Sequence, residues 1–137
     1  MEDNQQEVLY KLSFLEQQIN QLQQQLQAIE QAVVDMNSLK IGLEDLKGSE
    51  GKEILAPIGR GLFIKAKVLS ENLITDIGSR NFTKKSVNQA QEVIKKQVEK
   101  LKGMQKEVEE NLERAIAEIN NILSEAQNYD NNPKEKD

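Results

Sequence analysis

The 137 residues include no histidine and no cysteine, so the hydroxyl and acidic side chains are the first groups to consider for chemistry. Serine and threonine hydroxyls therefore have no imidazole to activate them, which excludes a Ser-His-Asp hydrolase. The usual zinc ligands, thiolate nucleophiles and disulfides are excluded as well. Glu107, Glu109, Glu110 and Glu113 carry oxygen ligands that suit a hard cation. Their helical spacing winds them around the helix axis, so we interpret them as solvated side chains.

Two further motifs resemble binding sites for phosphate or nucleic acid. Gly59-Arg60-Gly61 looks like the start of a phosphate loop, but the later glycine, the lysine and the following helix are missing. A tight turn is the better interpretation. Residues 84–106 carry seven lysines against two glutamates, with no aromatic residue among them to stack on bases. We therefore predict a solvated helix face there, no nucleic acid partner, no metal, no cofactor and no enzyme activity.

The composition is typical of long amphipathic helices. Charged residues make up 30% of the chain, hydrophobic residues 37% and aromatic residues 4%, which is lean for a spherical core. The N-terminal residues show no basic region followed by an apolar one, and no apolar run approaches the ~20 residues of a membrane span. We expect no membrane association and a cytoplasmic location.

Apolar residues recur in steps of four and three along residues 4–47, interrupted only by Lys40. Such a heptad pattern indicates a coiled coil. Asn4 with Glu7 forms a candidate N-terminal cap, and Gly48 is a candidate stop. The predicted seam consists of Val8, Leu12, Leu15, Ile19, Leu22, Leu26, Ile29, Val33, Met36 and Leu43.

A second seam follows in residues 86–128. Ser86 and Gln89 have the spacing of a capping box. Gln97 holds one position of the seam, and two consecutive steps of four from Met104 predict a stutter that locally unwinds the supercoil. Residues 129–137 are predicted to be disordered. The remaining seam residues are Val87, Ala90, Ile94, Leu101, Met104, Val108, Leu112, Ala115, Ile119, Ile122 and Ala126.

Because neither helix can expose a leucine stripe to water, each needs a partner. Their matched seams and the connector between them favour an antiparallel pairing within one chain, whereas parallel pairing with a second copy is the alternative. The predicted fold class is mainly α with a small β region. It is a single domain, a long antiparallel coiled-coil hairpin whose helices are joined by two β-hairpins at residues 53–84.

The sequence of the connector, residues 53–84, predicts four short strands with turns at residues 59–61, 71–72 and 78–81. Two hairpins bury little surface alone, and their edges offer unpaired backbone groups to another chain. We therefore predict an oligomer in which hairpins of several chains share a sheet or barrel; a self-contained cap on the coiled coil is the alternative. The predicted assembly residues are Ile54, Leu55, Pro57, Ile58, Leu62, Phe63, Ile64, Val68, Leu73, Ile74, Ile77 and Phe82.

The hairpin segment "EILAPIGRGLFIKAKVLSENLITDIG" resembles that of the alpha-class subunits of archaeal-type prefoldin. Prefoldin is also called the Gim complex. Two hairpins rather than one match the alpha class, and the resemblance covers about residues 5–128. It implies a heterohexamer of two alpha-class and four beta-class subunits, with a double β-barrel and six coiled coils. It further implies capture of unfolded polypeptides at the coiled-coil tips and delivery to a group II chaperonin without ATP.

Apolar residues beyond the seam cluster where the two helix ends would meet. A two-stranded coil cannot bury all of them, and an exposed apolar cluster indicates a binding surface; a locally wider seam is the alternative. Should capture be absent, the chain would be a coiled-coil spacer or tether that docks through its β segment. The predicted residues for unfolded-protein binding are Val8, Leu9, Tyr10, Leu12, Phe14, Leu15, Ile116, Ile119, Leu123 and Tyr129.

Overall fold

The computed structural model describes residues 2–130, with side chains described from Asn4 to Gln127. The elements are α1 (Glu2–Leu46), β1 (Glu53–Gly59), β2 (Leu62–Lys67), β3 (Leu73–Gly78), β4 (Asn81–Lys85) and α2 (Val87–Asp130). The predicted order of helix, two hairpins and helix is confirmed. Helix α1 begins two residues before its predicted cap, and α2 continues through Asp130, into the segment predicted to be disordered. The rest of that segment, residues 131–137, lies outside the described residues.

The chain divides into two compact units. The terminal unit comprises residues 1–31 and 101–137, and the central unit comprises residues 32–100. Helices α1 and α2 contribute to both units, whereas the four strands belong to the central unit alone. No helix among residues 2–130 is both apolar and long enough to cross a bilayer.

In the terminal unit, α1 and α2 lie side by side and bury the predicted heptad seam between them. Leu15, Ile29 and Ala115 are the most buried side chains of this unit, and their seam neighbours are half-buried. A groove between the helices is lined by Gln18 and Gln25 of α1 and by Asn111 and Glu118 of α2. Early residues of α1 are therefore level with late residues of α2, which is the predicted antiparallel pairing within one chain.

The predicted stutter in α2 is wrong. Met104 is 44% exposed and lies off the seam, whereas Gln105 is half-buried on it. Val98 likewise replaces the predicted Gln97, which is exposed. The seam of α2 thus keeps alternating steps of three and four. At positions 104 and 105 the prediction failed because it chose the more apolar residue, although the methylene groups of a glutamine can pack on a seam while its amide stays hydrated. At positions 97 and 98 it took a step of three after Ile94, where the helix takes a step of four.

In the central unit, the end of α1 and the start of α2 share a small apolar cluster. Leu43, Val87 and Ile94 are buried in it. Other apolar residues pack around these three, namely Met36, Leu46, Leu73, Ala90 and Val98. Since Leu73 begins β3, this cluster attaches the second hairpin to the helices.

Helix α1 ends as its sequence predicts. Gly48 adopts a φ of +74°, a left-handed conformation that favours glycine. The backbone N–H of Ser49 donates to the carbonyl of Leu46 at 3.1 Å, and the buried Ser49 hydroxyl donates to the same oxygen at 2.5 Å. The N–H of Gly48 donates to the carboxylate of Glu71, which connects the helix end to the loop between the hairpins.

Helix α2 begins with the predicted capping box. The N–H of Gln89 donates to the Ser86 hydroxyl at 3.1 Å, and the N–H of Ser86 donates to the Gln89 side-chain oxygen at 3.0 Å.

We expect Ser86→Ala to lower the free energy of unfolding by about 1 kcal/mol, because a backbone donor loses its partner. Urea denaturation measures this, with Ser38→Ala at an exposed helical position as the control. Equal effects of the two changes would contradict the capping role.

The four strands form two separate two-stranded antiparallel sheets, β1–β2 and β3–β4. Each hairpin turns on two residues with positive φ, Arg60 and Gly61 in the first and Ser79 and Arg80 in the second. This pattern is that of a type I′ turn, whose twist matches that of the flanking strands. The register shifts just before each turn, after Pro57 in β1 and after Asp76 in β3. The predicted turns at 59–61 and 78–81 are confirmed.

Candidate binding surfaces of the chain

One face of the first hairpin is entirely apolar. Residues that oppose each other in an antiparallel pair point to the same side of the sheet. Ile54 opposes Ala66, and Ala56 opposes Ile64. Leu62 lies two residues before Ile64, so it shares that side. We call these five residues the hairpin face; its three large side chains, Ile54, Leu62 and Ile64, are all exposed in the single chain.

The opposite face of the first hairpin is mixed. Lys65 opposes Leu55, and Lys67 opposes Glu53. Charged residues on a two-stranded sheet discourage unspecific edge pairing. Phe63 opposes Pro57 on this face, and its ring is exposed.

The second hairpin places one side toward the rest of the chain and the other toward solvent. Leu73, Thr75, Thr83 and Lys85 share the half-buried side. The exposed side carries Ile74 beside Lys84 and Asp76 beside Phe82. Of the predicted assembly residues, Val68 and Leu73 are half-buried, and the other ten are exposed, namely Ile54, Leu55, Pro57, Ile58, Leu62, Phe63, Ile64, Ile74, Ile77 and Phe82.

In the terminal unit, five of the predicted binding residues are exposed apolar side chains. Leu9 is 66% exposed and Tyr10 is 77% exposed, and the others are Phe14, Ile116 and Leu123. Val8, Leu12 and Ile119 are half-buried in the seam. Leu15 is only 5% exposed, so it supports the surface from beneath. The side chain of Tyr129 lies outside the described residues.

The heptad positions show which of these five residues lie together. With Leu12 and Leu112 at position a, the groove residues Gln18, Gln25, Asn111 and Glu118 all occupy position g. An antiparallel coiled coil brings g beside g on one edge and e beside e on the other. Leu9 of α1, and Ile116 and Leu123 of α2, occupy position e. They therefore line the edge opposite the groove, and we call these three residues the apolar strip.

Tyr10 and Phe14 lie elsewhere. They occupy positions f and c of α1, on its outer surface, and their spacing of four residues makes them neighbours there. The terminal unit thus presents two apolar surfaces, the strip between the helices and the aromatic pair on the outside of α1.

Five exposed apolar residues of the central unit were not among the predicted site residues. They are Val34, Leu39, Ile41, Leu69 and Val93. Leu69, at 83% exposure, lies in the loop that joins the hairpins. The three on α1 occupy heptad positions b and g, so a search of the sequence for apolar residues off the seam would have found them.

One described carboxyl group, that of Glu44, has a shifted pKa. The amide of Gln91 donates to Glu44 Oε2 at 2.7 Å, and Lys47 Nζ lies 3.2 Å from the same oxygen. These two interactions lower the pKa of the exposed Glu44 carboxyl. Among the side chains described, from Asn4 to Gln127, no group of three or more acidic residues is placed to hold a metal ion. The exposed apolar side chains of the hairpins and of the terminal unit are the candidate binding surfaces.

Comparison with known proteins agrees with this geometry. The family model "Prefoldin subunit" matches residues 15–131. Prefoldin subunit alpha 1 of Methanocaldococcus jannaschii is 32% identical over 117 residues, which cover 85% of this chain and 80% of that protein. Prefoldin subunit alpha of Methanobrevibacter smithii is 29% identical over 117 residues, covering 85% of this chain and 75% of the relative.

A solved structure shares the fold. The chain from the cryo-EM structure of filamentous PFD from Methanocaldococcus jannaschii superposes with a TM-score of 0.73 at 19% identity. The superposition covers 85% of this chain and 98% of that one. Together with the family model, which spans both helices and both hairpins, these similarities establish that the chain belongs to the prefoldin family, as a subunit of its alpha class.

Proposed function

We propose that this subunit is an ATP-independent chaperone that captures unfolded polypeptides on its terminal unit and prevents their aggregation. The main support for this proposal is a set of apolar side chains that stay exposed beside a complete seam, namely Leu9, Tyr10, Phe14, Ile116 and Leu123. A folded two-helix coil has no need of these side chains for its own stability. A cluster of exposed apolar side chains indicates a binding site for other proteins.

The energetics suit a client without a fixed shape. Burial of about 100–200 Å² of apolar surface contributes about 2.5–5 kcal/mol before the cost of ordering the client. One subunit alone therefore binds weakly and releases readily, so no nucleotide is needed for release. Several subunits on one platform raise the affinity, because each further contact forms at a high effective concentration.

The hairpins supply the platform in this proposal. The hairpin face exposes large apolar side chains, and both two-stranded sheets have unpaired edges. Such surfaces are stabilised by pairing with strands of other subunits. We propose a heterohexamer of two alpha-class and four beta-class subunits in which the hairpins form barrels. Membership of the family supports this assembly, a cytoplasmic location, and delivery of clients to a group II chaperonin.

Capture is tested by changing the five exposed residues of the terminal unit, namely Leu9, Tyr10, Phe14, Ile116 and Leu123, to serine together. We expect the variant to assemble normally with beta-class subunits and to lose most of its ability to suppress aggregation of a diluted, denatured enzyme. The reason is the lost apolar burial, roughly 2 kcal/mol for each large side chain. Light scattering on dilution measures the suppression, and native mass spectrometry measures the assembly.

A matched control changes four exposed aliphatic residues of the central unit, Val34, Leu39, Ile41 and Val93, to serine. We expect this control to suppress aggregation as the unchanged protein does. Full suppression by the five-residue variant would refute capture on the terminal unit. If the unchanged assembly itself suppresses no aggregation, the chain is a structural spacer or tether that docks through its hairpins.

A further inference from the structure

The two units of the chain carry charge of opposite sign. Within residues 2–31 and 101–130 of the terminal unit, twelve acidic side chains stand against four basic ones. The central unit has nine acidic and twelve basic side chains. The net charge of −5 for the whole chain is therefore the sum of a strongly acidic terminal unit and a weakly basic central unit. Any polypeptide held there meets a negative potential, and a cleft or surface of one sign attracts ligands of the other.

The acidic groups are placed beside the apolar strip. Glu16 of α1 and Glu109 of α2 occupy the same heptad position e as Leu9, Ile116 and Leu123, so all five side chains line one edge of the coil. Both carboxylates are exposed. Neither has a hydrogen-bond or ion-pair partner among the described residues. Their charge is therefore available to a bound molecule.

Cations are missing from this part of the edge. Lys11 occupies position g, on the groove side, and Arg114 lines the same groove from position c of α2. Lys102 is the first basic residue at position e of α2, two heptads before Ile116. Beside Leu9, Ile116 and Leu123, the charged side chains of this edge are therefore carboxylates, and the nearest cation is Lys106 at the neighbouring position b, three residues before Glu109.

The strip has the length of a short extended segment. Because the groove sets residues 18–25 level with residues 111–118, Ile116 lies level with about residue 20 of α1. Leu9 is about eleven residues from that level, or ~16 Å along the helix. An extended chain rises about 3.3 Å per residue, so roughly five client residues span the strip, and about three more reach Glu109, which lies one heptad or ~10 Å beyond Ile116.

We propose that the apolar strip selects unfolded segments in which apolar residues alternate with lysine or arginine; this inference rests on the proposed capture function. The apolar side chains of such a segment cover Leu9, Ile116 and Leu123, and its cations approach Glu16 and Glu109. Each exposed ion pair changes an affinity by about two- to fivefold, so the two carboxylates together give about tenfold discrimination. Acidic segments of the same hydropathy bind more weakly, because their carboxylates approach uncompensated negative charge.

The test uses the full chain assembled with its beta-class partner and two fluorescent, unfolded peptides. Both peptides carry the same apolar residues, and the positions between them are all lysine in one and all glutamate in the other. We expect fluorescence anisotropy to show about tenfold tighter binding of the lysine peptide at about 0.05 M salt, and a much smaller difference at about 0.5 M, where the Debye length is only a few ångströms.

Two variants with equal charge change locate the effect. Glu16→Gln with Glu109→Gln removes the carboxylates of the strip edge, and we expect it to abolish most of the preference. Glu107→Gln with Glu110→Gln removes two carboxylates at positions c and f, and we expect it to leave the preference nearly unchanged. Equal loss in both variants would show that net charge acts without the strip and would overturn the inference.

The two proposals fail differently. Equal binding of both peptides overturns the charge selection and leaves capture standing. Binding of neither peptide, together with full aggregation suppression by the five-residue serine variant, overturns capture on the terminal unit and the charge selection with it.

Discussion

A chain that carries Leu62→Ser and Ile64→Ser is expected to remain folded and to lose its assembly with beta-class prefoldin subunits. Both side chains belong to the hairpin face and are exposed in the single chain, Leu62 by 64% and Ile64 by 55%. Their replacement therefore removes little that the chain itself uses. In the proposed assembly they are buried, and burial of each contributes about 1.5–3 kcal/mol. The affinity of one chain for its neighbours should fall about 10²–10⁴-fold.

Native mass spectrometry of the mixed subunits measures this loss. The control carries Leu39→Ser and Ile41→Ser, which replace the same two residue types at exposed positions of α1. We expect the control to assemble normally. Circular dichroism of both variants should show unchanged helix content. A hairpin variant that still forms the full complex would show that the subunits associate through another surface.

The long-range features of the fold could be predicted from the sequence because they repeat. The seam of α1 was predicted correctly over five heptads, and all ten predicted seam residues from Val8 to Leu43 are buried or half-buried. One wrong position in such a series is corrected by its neighbours. The seam of α2 shows the limit of this reasoning. Gln105 lies on the seam and Met104 lies beside it. A prediction from hydropathy alone therefore chose Met104 and inferred a stutter that the helix does not have.

The local backbone conformation was equally predictable where a residue type strongly favours one position, such as the cap at a helix end. The box formed by Ser86 and Gln89 and the positive φ of Gly48 follow from the conformations that these residues favour. The turn at Ser79 and Arg80 was predicted in position. Its positive φ values at two residues other than glycine were not, because the pairing of β3 with β4 imposes them.

The candidate sites were predicted as sets of residues and not as surfaces. The sequence identified Leu9, Phe14 and Ile116 as apolar residues beyond the seam. It did not separate the strip from the aromatic pair on α1, because that distinction depends on which edge of α1 lies beside which edge of α2. It also placed Leu15 among the binding residues, although the structure buries this side chain. The heptad pattern had already assigned Leu15 to the seam, and its burial agrees with that assignment.

The second large effect concerns the apolar cluster of the central unit. We expect Leu43→Ala to lower the free energy of unfolding by about 3 kcal/mol, since Leu43 is only 6% exposed and truncation of a buried leucine leaves a cavity. The loss is large because Leu43 packs with Val87 and Ile94, and because Leu73 of the second hairpin packs on the same cluster. Thermal and urea denaturation at a fixed protein concentration measure it.

Leu39→Ala is the matched control, because Leu39 lies one helical turn earlier on α1 and is 50% exposed. Alanine favours a helix slightly more than leucine does, and this small gain is the same at both positions. The difference between the two variants therefore isolates burial. We expect Leu39→Ala to change the free energy of unfolding by less than about 0.5 kcal/mol. Similar losses at both positions would mean that the interface between α1 and α2 is wider than two residues per heptad, and Leu39 would then belong to the core.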